Sequence, residues 1–429
     1  MYDLAIIGAG WAGYNAALRA KESNLKVALI EKAFIGGVCL NSGCIPAKSL
    51  IQSARVLNLV KKSSDFGIES LEPHLNFLKV QQRKNKIVEG LRSGMQFMLR
   101  GVDFFNAEAK IISSQEIDLN GKIIKTKFIL LATGSAPQEL EQLKFDGKKI
   151  ISSSDILSSD EIPSSLLIIG GGAIGCEFAG LFASLGTKVV ILEKRSSLLP
   201  GVDSEIARKI ENILRRKGIG ISTNADLLSV NLKDFSRVLV CVGRSVKISI
   251  PGLEKIKVEV DNGRVIVDEY LKTSLDNVYA AGDCTAQVML AHFAAYQGRL
   301  AVDNMFNKDG PKSSDSLNVP SCIYTDPEVA FVGLSEETAL EKNIDININK
   351  FDFLGLGMAR VIGETQGLLK IISDKNTGSI LGASIMGPKA TEIIGILTLA
   401  LSSKLNLKQL RSAIFAHPTL SESISEALR

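Results

Sequence analysis

Two cysteines, Cys39 and Cys44, stand with four residues between them in IGGVCLNSGCIPAK. Pro46 and the run over residues 47–60 predict a helix opening at the second cysteine, where free N–H groups would stabilise a thiolate. A redox-active disulfide is one reading of that spacing; two buried structural thiols and half of a metal site are others. Near the other end, His417 and Glu422 lie in HPTLSE. An imidazole titrating near neutrality suits the movement of a thiol proton, and a carboxylate five positions on can hold its second nitrogen across the intervening turn. A lone His near a chain end is also commonly a solvated residue, and His74 is read that way. His292, in LAHFAAYQG, reads as helix-terminal packing or a cofactor neighbour.

The elements able to position such groups are written as a repeat. From Leu4, LAIIGAGWAGYNAALRA is a short apolar strand, then Gly8, Gly10 and Gly13 in GxGxxG order, then a small-residue helix, with VALIEK as the next strand. Gly8 permits a tight turn, Gly10 lets backbone approach a pyrophosphate, and Gly13 lets helix and strand pack closely. Glu31 closes the second strand, where an acid can accept hydrogen bonds from a ribose diol. SLLIIGGGAIGCEFAGLFASLGTKVVILEK repeats the pattern with Gly170, Gly172, Gly175 and Glu193. Two dinucleotide sites imply a redox relay. Glu193 would repel a 2′-phosphate, which favours NAD over NADP, although Lys194 and Arg195 follow it and soften the repulsion.

The chain as a whole is globular in composition. It has 429 residues, 45% of them hydrophobic, with 50 Lys and Arg against 46 Asp and Glu. The net charge of +4 forms no basic block, which argues against a nucleic-acid or membrane-surface partner. Six cysteines are too few for a disulfide scaffold, and no His stands at zinc-finger spacing from a Cys pair, so no metal site is expected. Cys176, Cys241, Cys284 and Cys322 read as small buried hydrophobes, and Trp11 and Tyr14 as packing or lip residues. The first strand begins at Leu4 with no secretory leader before it, so a cytoplasmic address is expected.

The motifs together resemble the flavin-dependent pyridine nucleotide disulfide oxidoreductases, and most of all the dihydrolipoamide dehydrogenase branch of that family. The disulfide motif matches GGVCLNSGCIPAK, the closure of the flavin domain matches ATGSAP at residues 132–137, a second flavin contact matches YAAGDC at 279–284, and the acid-base motif matches HPTLSE. The resemblance implies an α/β fold with two Rossmann-like domains, for FAD and NAD, and a C-terminal α+β dimerisation domain. It implies that Cys39 and Cys44 form a disulfide, Cys39 exchanging with substrate and Cys44 facing the flavin. Lys48 would lie near the flavin and pair with Glu177. Ala132, Thr133, Gly134 and Asp283 would contact FAD, and Gly243 would belong to the nicotinamide side. His417 would be the acid-base residue, supplied across a homodimer interface and oriented by Glu422. The implied reaction oxidises a free or carrier-bound dihydrolipoyl dithiol through the disulfide and FAD to reduce NAD. An NAD(P)H-dependent reductase of another disulfide or a metal ion, and a nonenzymatic flavoprotein subunit, are the alternatives.

The expected domains are 1–147 for FAD, 148–246 for NAD, 247–318 returning to the FAD region, and 319–429 for the interface. The charged stretch near residues 81–92 reads as the exposed side of a helix, and NKDGPKSSDSL at 307–317 as a linker. From residue 319, alternating runs such as GLLKIISD and SILGASIMG predict an antiparallel sheet, with helices at 390–413. Departures from the family pattern are Val38 for Thr, Val246 for Pro, Gln297 for an acid and Phe415 before AHP, the last two on the substrate side. Only 73 positions separate Gly170 from Gly243, so a hairpin or meander is trimmed from the second nucleotide domain.

Overall fold

The computed structural model describes every residue except 70–71, 228–229, 307–309, 311 and 315–317. Most of the expected linker at 307–317 therefore lies outside the described residues.

Three sheets carry the architecture. The first holds β1 (Tyr2–Ile7), β2 (Val27–Glu31), β3 (Asp103–Asn106), β4 (Ala109–Ser113), β5 (Glu116–Leu119) and β6 (Lys122–Leu131), in the order β3-β2-β1-β6-β5-β4. Strands β1, β2, β3 and β6 are mutually parallel, and the later strand Val278–Ala280 returns to pair with β6. Helix α1 (Trp11–Glu22) follows β1, and the chain leaves the sheet through α2 (Gly37–Ser42), α3 (Cys44–Lys61) and α4 (Phe77–Met98). A short β7 (Ala136–Pro137) leads out to the second sheet.

That second sheet is wholly parallel: β8 (Ile150–Ile151), β9 (Ser165–Ile169), β10 (Lys188–Leu192), β11 (Gly220–Ser222) and β12 (Arg237–Val240), in the order β11-β10-β9-β12-β8. Its strands are apolar on both faces because helices such as α5 (Ser153–Leu157), α6 (Ala173–Ser184) and α7 (Ser204–Arg216) pack on one side. The other face is covered as well. Leu167, Ile169, Leu192, Val238 and Val240 are covered there by Leu140, Leu143 and Phe145 from the connector and by Leu227, Val230, Leu232 and Phe235 from the shortened loop.

The third sheet is antiparallel, as its alternating sequence predicts, and runs Ser321–Ile323, Glu328–Gly333, Ile380–Gly387, Leu368–Asp374, Ile346–Asp352 from edge to edge. Helices Ala390–Ser402 and Leu407–Arg411 occupy the predicted helical region. A buried charge cluster ties this sheet to the second nucleotide fold. Lys370, 1% exposed, reaches Asp203 at 2.5 Å, Glu336 at 2.7 Å and Glu205 at 3.5 Å. Asp203 also caps α7, its Oδ1 accepting from the N–H groups of Glu205 and Ile206.

One expectation is corrected. The charged stretch at 81–92 is not simply solvated: on α4, Gln81 and Lys84 are buried and donate to the carbonyls of Ser159 and Leu157, both at 2.9 Å. Long polar side chains can bury their stems when the head finds a carbonyl.

Candidate active site

The two phosphate turns are built alike. A Cβ on Gly13 would sit 1.8 Å from the Gly8 carbonyl oxygen, and one on Gly175 would sit 2.0 Å from that of Gly170, so each helix lies against its own turn only because both residues are glycine. Gly10 and Gly172 precede α1 and α6 without a side-chain cap, which leaves first-turn N–H groups to an incoming phosphate. Each acid then binds the turn it follows. Glu31 accepts from Ala9 N at 2.8 Å and Ala33 N at 2.9 Å; Glu193 accepts from Gly171 N at 2.6 Å and Arg195 N at 2.7 Å. A carboxylate has about four acceptor sites, so capacity for a ribose diol remains at both. Lys194 and Arg195 are exposed beside the second acid. These features fit FAD at the first turn and NAD at the second.

The remaining nucleotide-side residues gather at the first sheet's carboxyl end. Ala132, whose N–H donates to Ile7 O at 2.8 Å, leads into Thr133 and Gly134 after β6. Asp283 follows the returning strand, accepts from Ser135 Oγ, and lies 3.8 Å from Arg244. Gly243 stands just before Arg244, its carbonyl accepting from Gln138 N at 3.1 Å. Gln297 is corrected here: it is not on the substrate side. It is fully buried, and its Oε1 accepts from Gly282 N at 2.8 Å, fixing the turn that presents Asp283. Phe415 packs partly against the core of the third sheet.

Helix α3 begins at Cys44 as predicted; Pro46 fits in its first turn, where an N–H would lack a helical partner anyway. Short α2 carries Cys39 and was not read from the sequence. Gly43 joins the two helices where a Cβ would lie 2.9 Å from Val38 O. Both cysteines are thiols here, Cys39 half-buried and Cys44 exposed. Their mutual interaction pushes the pair apart in acidity. It raises Cys39, with burial adding to the rise, and it lowers Cys44 to about 7, with Lys48 helping against burial.

Lys48 stands one turn along α3 and pairs with Glu177 of α6 at 2.8 Å. Burial pulls the Lys48 ammonium down, but the Glu177 carboxylate more than offsets it and the pKa is raised. The pair also reaches the third sheet's edge: Glu177 accepts from Tyr324 N at 2.8 Å, and the ammonium lies 4.7 Å from the centre of the Tyr324 ring. One group of residues gave no signal in the sequence. Arg92 donates to Asn41 Oδ1 at 2.7 and 3.1 Å, while Asn41 Nδ2 donates to the carbonyls of Ile35 and Gly37. A guanidinium on α4 thus braces the cysteine loop through one amide.

His417 and Glu422 do meet. Nδ1 and Oε1 are 2.8 Å apart, and Glu422 also accepts from Thr419 N at 2.7 Å. The Thr419 amide, and then the imidazole, lower the Glu422 pKa, so it is a carboxylate at neutral pH and its only role toward Nδ1–H is to accept. Nε2 is left free. The His417 side chain is 80% exposed, and among the described residues no hydrogen bond joins it to either cysteine of its own chain. His292 Nε2–H donates to Pro320 O at 2.8 Å, and burial lowers its pKa. Burial also raises the pKa of Cys176, Cys241, Cys284 and Cys322, which keeps all four protonated at neutral pH.

Comparison with known proteins supplies a family context. Residues 2–298 match the model described as pyridine nucleotide-disulphide oxidoreductase, and residues 319–428 match the dimerisation domain of the same name. Among curated proteins, the dihydrolipoyl dehydrogenase of Bacillus subtilis is 36% identical over 99% of this chain and 97% of its own length. That of Chlamydia pneumoniae is 37% identical over 99% and 96%. Among solved structures, the HOCl-induced flavoprotein disulfide reductase RclA from Escherichia coli superposes with a TM-score of 0.89 at 31% identity, covering 100% of this chain and 99% of that one. LpdA from Mycobacterium tuberculosis gives 0.92 at 25% identity, with the same coverage.

Proposed function

Because the chain belongs to the pyridine nucleotide-disulphide oxidoreductases, we propose that it is a homodimeric dihydrolipoamide dehydrogenase. Members of the family are enzymes that use FAD and NAD(H), and its dimerisation domain supports a homodimer. The observation that supports the finer reading is an exposed imidazole oriented by Glu422, together with a Cys39 and Cys44 pair in which Cys44 opens the helix that carries Lys48 of the Lys48–Glu177 ion pair.

When bound, FAD and NAD(H) supply the two-electron hydride relay. The chain's residues manage thiols and protons. A substrate thiolate, deprotonated at Nε2 of the His417 of a second copy, attacks Cys39 Sγ; the Cys39–Cys44 bond breaks and Cys44 leaves as a thiolate. A thiol with a pKa of about 7 is a good leaving group near neutral pH. The second substrate sulfur then attacks the first, forming the cyclic disulfide and releasing Cys39. Lys48, held by Glu177, keeps positive charge beside Cys44. Glu193 supports NAD as the coenzyme because an acid opposes a 2′-phosphate. A lipoyl group on a carrier protein is the expected physiological form of the substrate.

The likeness to the flavoprotein disulfide reductase RclA favours a second reading, an NAD(P)H-driven reductase of another disulfide. Both are tested with purified flavin-loaded protein, following nicotinamide absorbance with dihydrolipoamide and NAD, then with NADH and small disulfides. Rapid NADH formation that Cys44→Ser abolishes supports the first reading. Visible flavin with no NADH formation, and turnover only in the reverse sense, replaces it with the second.

A further inference from the structure

Asn41 stands inside the cysteine loop, between Cys39 and Cys44. Its amide uses both donors and both lone pairs. Nδ2 donates to Ile35 O at 2.9 Å and to Gly37 O at 2.8 Å, while Oδ1 accepts from Nη2 and Nε of Arg92 at 2.7 and 3.1 Å. Only one orientation of the amide satisfies this set, because a guanidinium can only donate and a carbonyl can only accept. Arg92 reaches the loop from α4, and its guanidinium also lies over the Phe34 ring, 4.4 Å from the centre. The helix that carries Cys39, α2, has six residues and no side-chain cap, too short to hold its own shape in water. Its ties to neighbouring elements therefore set where Cys39 stands. A disulfide fixes the separation of its sulfurs, whereas a free dithiol gains loop freedom on reduction. A tie on the loop withholds that gain.

We propose that Arg92 is a positioning residue for the redox pair, holding the Cys39–Cys44 loop through Asn41 so that the dithiol stays set for ring closure and the disulfide is harder to reduce than in an untied loop. The inference rests on the reading of Cys39 and Cys44 as the redox-active pair. Closing the ring forms one S–S bond and releases two protons and two electrons, which the disulfide of dithiothreitol takes up in becoming a dithiol. Arg92 exchanges nothing; it acts on the loop alone. A guanidinium acting by charge would have the opposite sign, because a cation favours thiolate and hence the reduced form. Loss of the brace makes reduction easier, and loss of a charge makes it harder.

Flavin-loaded protein is equilibrated in buffers of reduced and oxidised dithiothreitol, and the fraction of Cys39 and Cys44 present as thiols is read by alkylation and mass spectrometry. Arg92→Met should be half-reduced at an about ten-fold lower ratio of reduced to oxidised dithiothreitol than the wild type, a rise of about 30 mV in potential. An unmoved or more negative potential overturns the proposal. Arg92→Lys keeps the charge but not the two-point bond, so its potential should rise as well, and it decides the matter should the Met variant lose flavin; a wild-type potential there overturns the brace. In an Asn41→Ala background, which has already lost the acceptor, Arg92→Met should add nothing, and a further shift would show that Arg92 acts by another route. A wild-type pair that forms no disulfide in oxidised dithiothreitol overturns the redox reading and the proposal with it, whereas a wild-type pair that titrates beside an unmoved variant removes the role of Arg92 alone.

Discussion

Replacing Lys370 with Met should loosen the joint between the second nucleotide fold and the antiparallel sheet. Three carboxylates lose a cation, but they do not suffer equally, and Glu205 keeps Lys350 at 2.7 Å. Glu205 and Glu336 are about one-third exposed, at 31% and 32%, and can rehydrate; Asp203 is at 0% and cannot. Breaking a buried ion pair from one side costs about 3–5 kcal/mol. Asp203 keeps two backbone N–H bonds at Oδ1 through its capping role, so only Oδ2 is stranded and the lower end applies, about 3 kcal/mol. Native-state hydrogen exchange of α7 reads this locally: its slowest amides should exchange about 150-fold faster. Adding Asp203→Asn should recover part of the loss, because the stranded charge disappears while the cap survives. The partners raise the Lys370 pKa, so its contribution is present below the unfolded value near 10.5 and is lost only as pH rises past the folded one. The effect should therefore be constant from neutral to mildly alkaline pH. A change below about 1 kcal/mol, the size of an exposed pair, would refute the reasoning.

Two further outcomes are expected. Gly175→Ala puts a methyl 2.0 Å from Gly170 O, so α6 must shift and the KM for NADH should rise at least about ten-fold while flavin content stays unchanged; an unchanged KM would remove that turn from the nicotinamide site. In the reduced protein, alkylation of Cys44 should be half-maximal near pH 7, fall below it, and move up by about one unit in Lys48→Met. Because that pKa is lowered from the ordinary 9, the reduced fold gains stability as pH rises from 7 toward 9 and loses it as pH falls through 7, and an alkylation rate flat through pH 7 would contradict the assigned acidity.

The glycine turns were legible because sterics leave no alternative: spacing, flanking strand and terminal acid must occur together, and they did so twice. The start of α3 was legible for a similar local reason, in Pro46. Pairings across long separations were not. Lys48 and Glu177 are 129 positions apart, and only the family resemblance joined them. Lys370 lies in a strand whose residues from Leu368 to Ser373 are all buried, so alternation could not assign it a wet or dry face. Arg92 and Lys84 read as solvated because charge on a helix usually is. Gln297 was misread because its partner is a backbone N–H, which leaves no mark in sequence. Trp11 was read as a packing or lip residue, and nothing in the sequence marks its buried, unpartnered nitrogen.

The covering of the second parallel sheet has a consequence for modularity. Its open face is roofed partly by Leu140, Leu143 and Phe145, which belong to the stretch arriving from the first sheet. A nucleotide fold that borrows its roof from its own entrance is not portable. Excised at residue 148, it would leave Leu167, Val238 and Val240 short of that cover, so this fold depends on the stretch that precedes it.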